Sequence, residues 1–172
     1  RVSHLGLKTE TAKILGAHYN AYDSSKNRKS ALYRLKAQLD PIAQAFSKVG
    51  ITTIFGPCLD RQGQSPVINL YDRAYSRHTD TILELSSAFI ESFYQAGLQC
   101  VIKHYPSHAY ALGDTHHQCA ISLQDLHQLE SDLAMYEVLL SRHSNLGVML
   151  SHCIYPRITR IYYVLANLNT IK

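Results

Sequence analysis

The chain has 172 residues, 46% of them hydrophobic, with a formal net charge of +4 and a mean hydropathy near zero. That is enough for one domain with a substantial core, and it argues against a disordered or fibrous chain. The longest apolar runs fall far short of a bilayer span, and Arg1-Val2-Ser3-His4 does not open a signal peptide.

The first thirty residues carry little pattern beyond Ile14-Leu15 and a polar, turn-like Asp23-Ser24-Ser25-Lys26-Asn27. Lys26-Asn27-Arg28-Lys29 is the one small basic cluster, and its Ser- and Asn-rich setting predicts a solvated loop and not a nucleic-acid contact. From Ser30, Leu32, Leu35, Leu39, Ile42, Phe46 and Val49 recur at helical spacing as far as Gly50. Pro41 interrupts this run, either as a kink or as the N1 residue of a new helix capped by Asp40. Ile51 to Phe55 then reads as a buried strand stopped by Gly56-Pro57, with a polar loop from Asp60 to Ser65.

A second helix begins near Thr79-Asp80, shows Ile82, Leu85, Phe89 and Phe93 on one face, and ends at Gly97. The next strand is predicted over Gln99 to Lys103 and leads into Lys103-His104-Tyr105-Pro106-Ser107-His108, continuing to His116, the densest run of titratable groups in the chain. Ser122 opens a third helix, with Asp125 three residues on as an imperfect capping box and Leu126, Leu129, Leu133, Tyr136 and Leu140 as its stripe. Leu146 to Leu150 is the third strand, ending at Ser151-His152.

Strands and helices thus alternate three times, and the strands read as apolar throughout, as parallel strands covered on both faces do. Polar residues gather just after each strand: Asp60 and Arg73, then Lys103 to His116, then His152. Convergence of this kind is how a (β/α) barrel assembles a site. The expected fold is α/β, a partial (β/α)8 barrel of neighbouring parallel strands with their carboxyl ends facing one cleft. Because part of such a barrel leaves sheet edges uncovered, self-association is expected unless the tail caps an edge. Cys58, Cys100, Cys119 and Cys153 are widely spaced without a CxxC pair, which reads as separate reduced thiols and favours the cytoplasm, with a periplasmic or secreted location left open by the missing initiator Met.

Four segments, in order, resemble glycoside hydrolase family 3, in its β-N-acetylglucosaminidase branch. Arg1-Val2-Ser3-His4-Leu5 is similar to the end of the motif D-x-E-G-G-R-V-x-R-L, and Phe55-Gly56-Pro57-Cys58-Leu59-Asp60 to F-A-P-V-x-D. Pro66-Val67-Ile68 through Arg73-Ala74-Tyr75-Ser76 resembles P-V-I-G…R-S-F-S, and Lys103 to His116 resembles K-H-F-P-G-H-G-x-x-x-x-D-S-H with the same spacing. Leu150-Ser151-His152 stands where the family has its M-T-A-H strand end. The resemblance covers residues 1–156 as an incomplete barrel domain, whereas the tail 157–172 does not match. Ser107 and Ala109 replace two glycines of the motif, so the loop is strained if either position needs a positive φ.

The resemblance implies hydrolysis of terminal β-linked N-acetylglucosamine, for example from peptidoglycan fragments, by a retaining mechanism. His116 and Asp114 would form the acid/base dyad, and Arg73, Lys103 and His104 would bind the sugar. Imidazole suits the dyad because it titrates near neutrality and a neighbouring carboxylate orients it. The family's nucleophile aspartate falls outside the chain, as does the aspartate of its first motif, so the alternative is an inactive remnant that binds sugar or serves as an interaction domain. The implied partner is a carbohydrate containing N-acetylglucosamine, without nucleic acid, membrane or cofactor. No metal is expected; a zinc set drawn from His104, His108, Asp114, His116, His117 and Cys119 fits no standard spacing.

Overall fold

The computed structural model describes residues 10–20, 25–113 and 120–158, with residues 25–27 described by backbone alone. Its elements in chain order are α1 (Ala12–Asn20), α2 (Ser25–Lys48), β1 (Thr53–Ile54), α3 (Pro66–Leu70), α4 (Thr79–Gln95), β2 (Gln99–Tyr105), β3 (Ala111–Leu112), β4 (Ala120–Ser122), α5 (Leu126–Arg142), β5 (Leu146–Leu150) and β6 (Cys153–Ile154).

The three expected strands are neighbours and parallel, in the order β1-β2-β5. In β2, Cys100 and Ile102 alternate with half-buried Gln99, Val101 and Lys103, and Ile102 is fully enclosed. Against this sheet lie α4, through Ile82, Leu85, Ile90 and Phe93, and α5, through Met135, Tyr136 and Leu139. Helix α2 then covers α4 with Leu35 and Ile42, and the Phe93 ring meets those of Phe46 and Phe89 in tilted contacts. Each such side chain contributes roughly 1.5–3 kcal/mol on burial, so this layer dominates the stability of the chain.

Helix α1 adds Leu15 and Tyr19 to the same core. Gly16 is required there, since a Cβ would stand 1.5 Å from the Tyr75 carbonyl oxygen. At its carboxyl end Asn20 is tied through its side chain to Ser76 Oγ (2.9 Å) and Thr81 Oγ1 (2.6 Å). This fastens the segment carrying Arg73 to the start of α4.

Several local expectations are corrected. Strand β1 is only two residues long within 51–55, and β2 runs two residues past Lys103. Helix α2 passes through Pro41 without a new cap, and it starts at Ser25, so the basic cluster 26–29 belongs to a helix and not to a loop. The capping box of the third helix is Asp125 with Gln128: the Gln128 N–H donates to Asp125 Oδ1 (2.8 Å) and the Asp125 N–H to Gln128 Oε1 (3.2 Å). Ser122 sits in β4 instead, donating its hydroxyl to Gln124. The buried stripe of α5 is rotated accordingly, to Leu129, Asp132, Met135, Tyr136 and Leu139, leaving Leu126 and Leu140 exposed. Among the described residues the sheet is not fully covered: β5 is one of its edges, and Val148 and Leu150 are exposed.

The sequence pattern also missed a second small sheet, β3-β4-β6. Strands β3 and β4 are antiparallel, with Ala111 opposite Ser122 and Leu112 opposite Ile121, while β4 and β6 are parallel. Ala111, Ala120, Leu129, Cys153 and Tyr155 form its separate core.

Candidate active site

The carboxyl ends of β1 and β2 deliver most of the chemistry. After β1 the chain stays beside β2: Leu59 N–H donates to the Lys103 carbonyl (2.8 Å) and Lys103 N–H to the Pro57 carbonyl (3.2 Å). This register sets Cys58 and Asp60 against Lys103 and His104.

Asp60 is the centre of the cluster, with no side-chain exposure. Its Oδ2 faces His104 Nδ1 at 2.6 Å and accepts from the Cys58 thiol at 3.1 Å, and its Oδ1 accepts the His108 N–H at 2.5 Å. Burial alone would raise this carboxyl, but the hydrogen bonds and charge from His104, with those from Cys58 and His108, bring it below the usual value. The same carboxylate helps burial to push the Cys58 thiol well up.

His104 bridges outward from Asp60. With Nδ1–H given to the carboxylate, Nε2 is left to accept from Arg73 Nη2 at 3.3 Å. Lys103 is half-buried in the same region, and its ammonium is pulled below the usual range by desolvation first and by Arg73 second. A partly desolvated cation makes stronger, more directional hydrogen bonds to hydroxyls than a solvated one. The structure therefore brings together Arg73, Lys103 and His104, the three residues expected to bind a sugar, around an aspartate that belongs to the same group. His152, the polar residue after β5, is exposed.

The loop after β2 is clamped from two sides. On one side His108, buried to 3% exposure, places Nδ1 3.1 Å from Ser65 Oγ, and Ser65 N–H donates to the Ala109 carbonyl (2.9 Å). Burial holds the His108 imidazole below its ordinary value, and its Nε2 has no hydrogen-bond partner among the described residues. Gly63 permits this contact, because a Cβ there would stand 2.3 Å from the Ala109 oxygen. On the other side the Tyr155 hydroxyl donates to the Ser107 carbonyl.

Beneath the same loop, buried Asp132 accepts from Arg61 Nε (2.5 Å) and Gln124 Nε2 (2.7 Å). Burial pushes this carboxyl up, against hydrogen bonds from Ser107, Gln124 and Arg61. Neither Ser107 nor Ala109 has a positive φ, so the two glycine replacements introduce no backbone strain.

The expected dyad, Asp114 and His116, lies outside the described residues, as do His117, Cys119 and Arg1. Among the described residues, the group able to offer a metal three ligand atoms is Cys58, Asp60 and His104, all within 4.8 Å of one another, and not the zinc set weighed from sequence. Sequence reasoning also missed the roles of Ser65, Arg61 and Asp132. A polar residue in the buried stripe of α5 and an arginine among the polar residues after β1 were the available signals.

Residues 22–164 match the family described as "Glycosyl hydrolase family 3 N terminal domain". The chain belongs to this family. A beta-hexosaminidase of Idiomarina loihiensis is 36% identical over 118 residues, which is 68% of this chain and 34% of that protein. The chain therefore spans about a third of the length of the curated relatives it matches. In structure it is similar to native NagZ from Neisseria gonorrhoeae, with a TM-score of 0.76 and 24% identity over 88% of this chain and 43% of that one. The structure of the same protein with N-trifluoroacetyl-D-glucosamine aligns with a TM-score of 0.75 and 25% identity, covering 88% and 42%. These likenesses establish the fold as part of a family 3 (β/α) barrel.

Proposed function

We propose that the chain is the sugar-binding and acid/base part of a β-N-acetylglucosaminidase, a retaining glycoside hydrolase acting on terminal β-linked N-acetylglucosamine such as that of peptidoglycan fragments. The observation that carries this reading is the junction of Asp60, Arg73, Lys103 and His104 at the carboxyl ends of β1 and β2, in a member of glycosyl hydrolase family 3. Charged donors and a buried carboxylate on rigid strand ends discriminate hydroxyl geometry, because each hydroxyl must meet a fixed donor or acceptor. The beta-hexosaminidase names of its relatives and the glucosamine analogue held by the Neisseria protein support the substrate class.

In this mechanism His116 protonates the departing oxygen and then takes the proton from water, and Asp114 orients the ring and stabilises its charged form. Retention also needs a nucleophilic carboxylate on the opposite face of the sugar, which this reading assigns to sequence beyond the chain. Arg73, Lys103 and His104 bind the sugar ring and do not touch the departing oxygen.

The test uses N-trifluoroacetyl-D-glucosamine as a fluorine probe in a resonance titration of the protein. Specific broadening of the fluorine signal, lost in Arg73→Ala and displaced by N-acetylglucosamine, is the expected result. No interaction with the probe, or binding unchanged in both Arg73→Ala and Lys103→Ala, overturns the sugar-site reading.

A further inference from the structure

We propose that Cys58, Asp60 and His104 form a binding site for a borderline-soft divalent cation of the zinc type, and that the cation takes the two sugar-site residues Asp60 and His104 out of use. The site follows from donor chemistry and spacing alone and does not need the sugar-binding reading of the same residues.

Each of the three side chains offers one ligand atom, and these atoms lie within 4.8 Å of one another at the end of β2. The measured separations are 2.6 Å between His104 Nδ1 and Asp60 Oδ2 and 3.1 Å between Cys58 Sγ and Asp60 Oδ2. Tetrahedral zinc, with bonds of about 2.0–2.3 Å, sets its nitrogen and oxygen ligands about 3.3 Å apart and its sulfur and oxygen ligands about 3.5 Å apart. The two measured pairs thus need to open by about 0.7 Å and about 0.4 Å, which side-chain rotations supply.

The donor set also selects the ion. One sulfur, one imidazole nitrogen and one carboxylate oxygen suit zinc or cobalt, whereas calcium and magnesium require oxygen ligands. Three protein ligands leave a fourth position open for water. The backbone already fixes two of the ligands: Cys58 bridges to Lys103, and Asp60 Oδ1 remains bonded to the His108 N–H while Oδ2 is free to turn to the metal.

Binding releases the thiol proton to solvent and leaves a thiolate, so one cation with one thiolate and one carboxylate is electrically neutral. His104 presents Nδ1 as a lone pair and carries its proton on Nε2. That proton points at Arg73 Nη2, 3.3 Å away, so the guanidinium must withdraw. Arg73 and Lys103 are the cations that oppose the metal, and removing the Arg73 charge should therefore tighten metal binding while it weakens sugar binding.

The test titrates the protein with Co²⁺ alone and follows the near-ultraviolet thiolate-to-cobalt charge-transfer band and the visible bands of a tetrahedral site. One equivalent of Co²⁺ giving both, bleached by Zn²⁺, is expected. Cys58→Ser should abolish the charge-transfer band and weaken binding by more than the roughly 10–100-fold that loss of an outer-shell partner costs. Cys100→Ser and Cys153→Ser should leave the band intact, and Arg73→Gln should strengthen it at a given Co²⁺ concentration. Should Cys58→Ser not fold, protection of Cys58 from alkylation by stoichiometric Zn²⁺, read by mass spectrometry on the unaltered protein, decides the matter. A cobalt complex without a thiolate band, a band that survives Cys58→Ser, or alkylation of Cys58 at the same rate with and without Zn²⁺ overturns the site. None of these readouts involves sugar, so its failure leaves the proposed glycosidase function standing, and the reverse is equally true.

Discussion

The two sheets of this molecule are built on different physical terms. Sheet β1-β2-β5 is backed by α4 and α5, with α2 outside them, and its centre at Ile102 is fully enclosed. Sheet β3-β4-β6 has strands of two or three residues, buries a core of five residues, and is fastened to the rest by polar contacts such as Tyr155 to Ser107. Hydrophobic layering therefore decides the first, while hydrogen-bond pairing and a few caps decide the second. The candidate site lies where the end of the first sheet meets the clamped loop that leads to the second.

This contrast can be broken by substitution. Ile102→Ala should cost most, about 3–4 kcal/mol in urea unfolding, because it opens a cavity in a fully enclosed layer. Asp132→Ala should cost about 3 kcal/mol, because it strands the partly buried Arg61 guanidinium without its partner. A double-mutant cycle with Arg61→Ala should show strong coupling, and additive losses would mean that the pair does not hold the junction. In the small sheet, Leu129→Ala should cost about 2 kcal/mol, at the low end for such truncations because its cluster is shallow. A loss equal to that of Ile102→Ala would erase the distinction between the sheets. Asp125→Ala removes the capping box and should cost about 1 kcal/mol.

The smallest effect concerns pH and sharpens the comparison at the clamped loop. Burial lowers the His108 pKa in the folded state, so the unfolded chain binds more protons as the pH falls through about 6.5, and stability declines in that direction. His108→Gln should flatten the difference in unfolding free energy between about pH 7.5 and about pH 5.5 relative to the unaltered protein. An unchanged slope would place the pH sensitivity on other histidines.

The parts legible in the sequence were those governed by long apolar repeats. Ile82, Leu85 and Phe93 pointed to the buried face of α4, and the runs at 99–103 and 146–150 located two of the three parallel strands. The small sheet was not legible, because Ala111-Leu112 and Cys153-Ile154 are too short for any period to emerge and exist only through cross-strand pairing. The box at the start of α5 was misread by one turn because Ser122-x-x-Asp125 and Asp125-x-x-Gln128 both offer a cap, and only the folded chain shows that Ser122 is spent on a strand. In the site, Arg73, Lys103 and His104 were singled out by the family resemblance, and the structure sets them beside one another. Ser65 and Asp132 were not singled out, since each acts through a partner at least 43 residues away.

The saturation of Asp60 has an evolutionary consequence. One carboxylate is held by the Cys58 thiol, the His104 ring and the His108 backbone N–H, and since every residue but proline keeps that N–H at 108, the effect of changing 58 or 104 depends on whether the other is still present. Losing a single donor leaves two to hold the anion, whereas losing a second exposes a buried charge with little to offset it. For stability, substitutions at positions 58 and 104 should therefore be epistatic: each tolerated by the fold alone, harmful together. A lineage that came to rely on cysteine at position 58 would find its later choices at 104 narrowed by that earlier step.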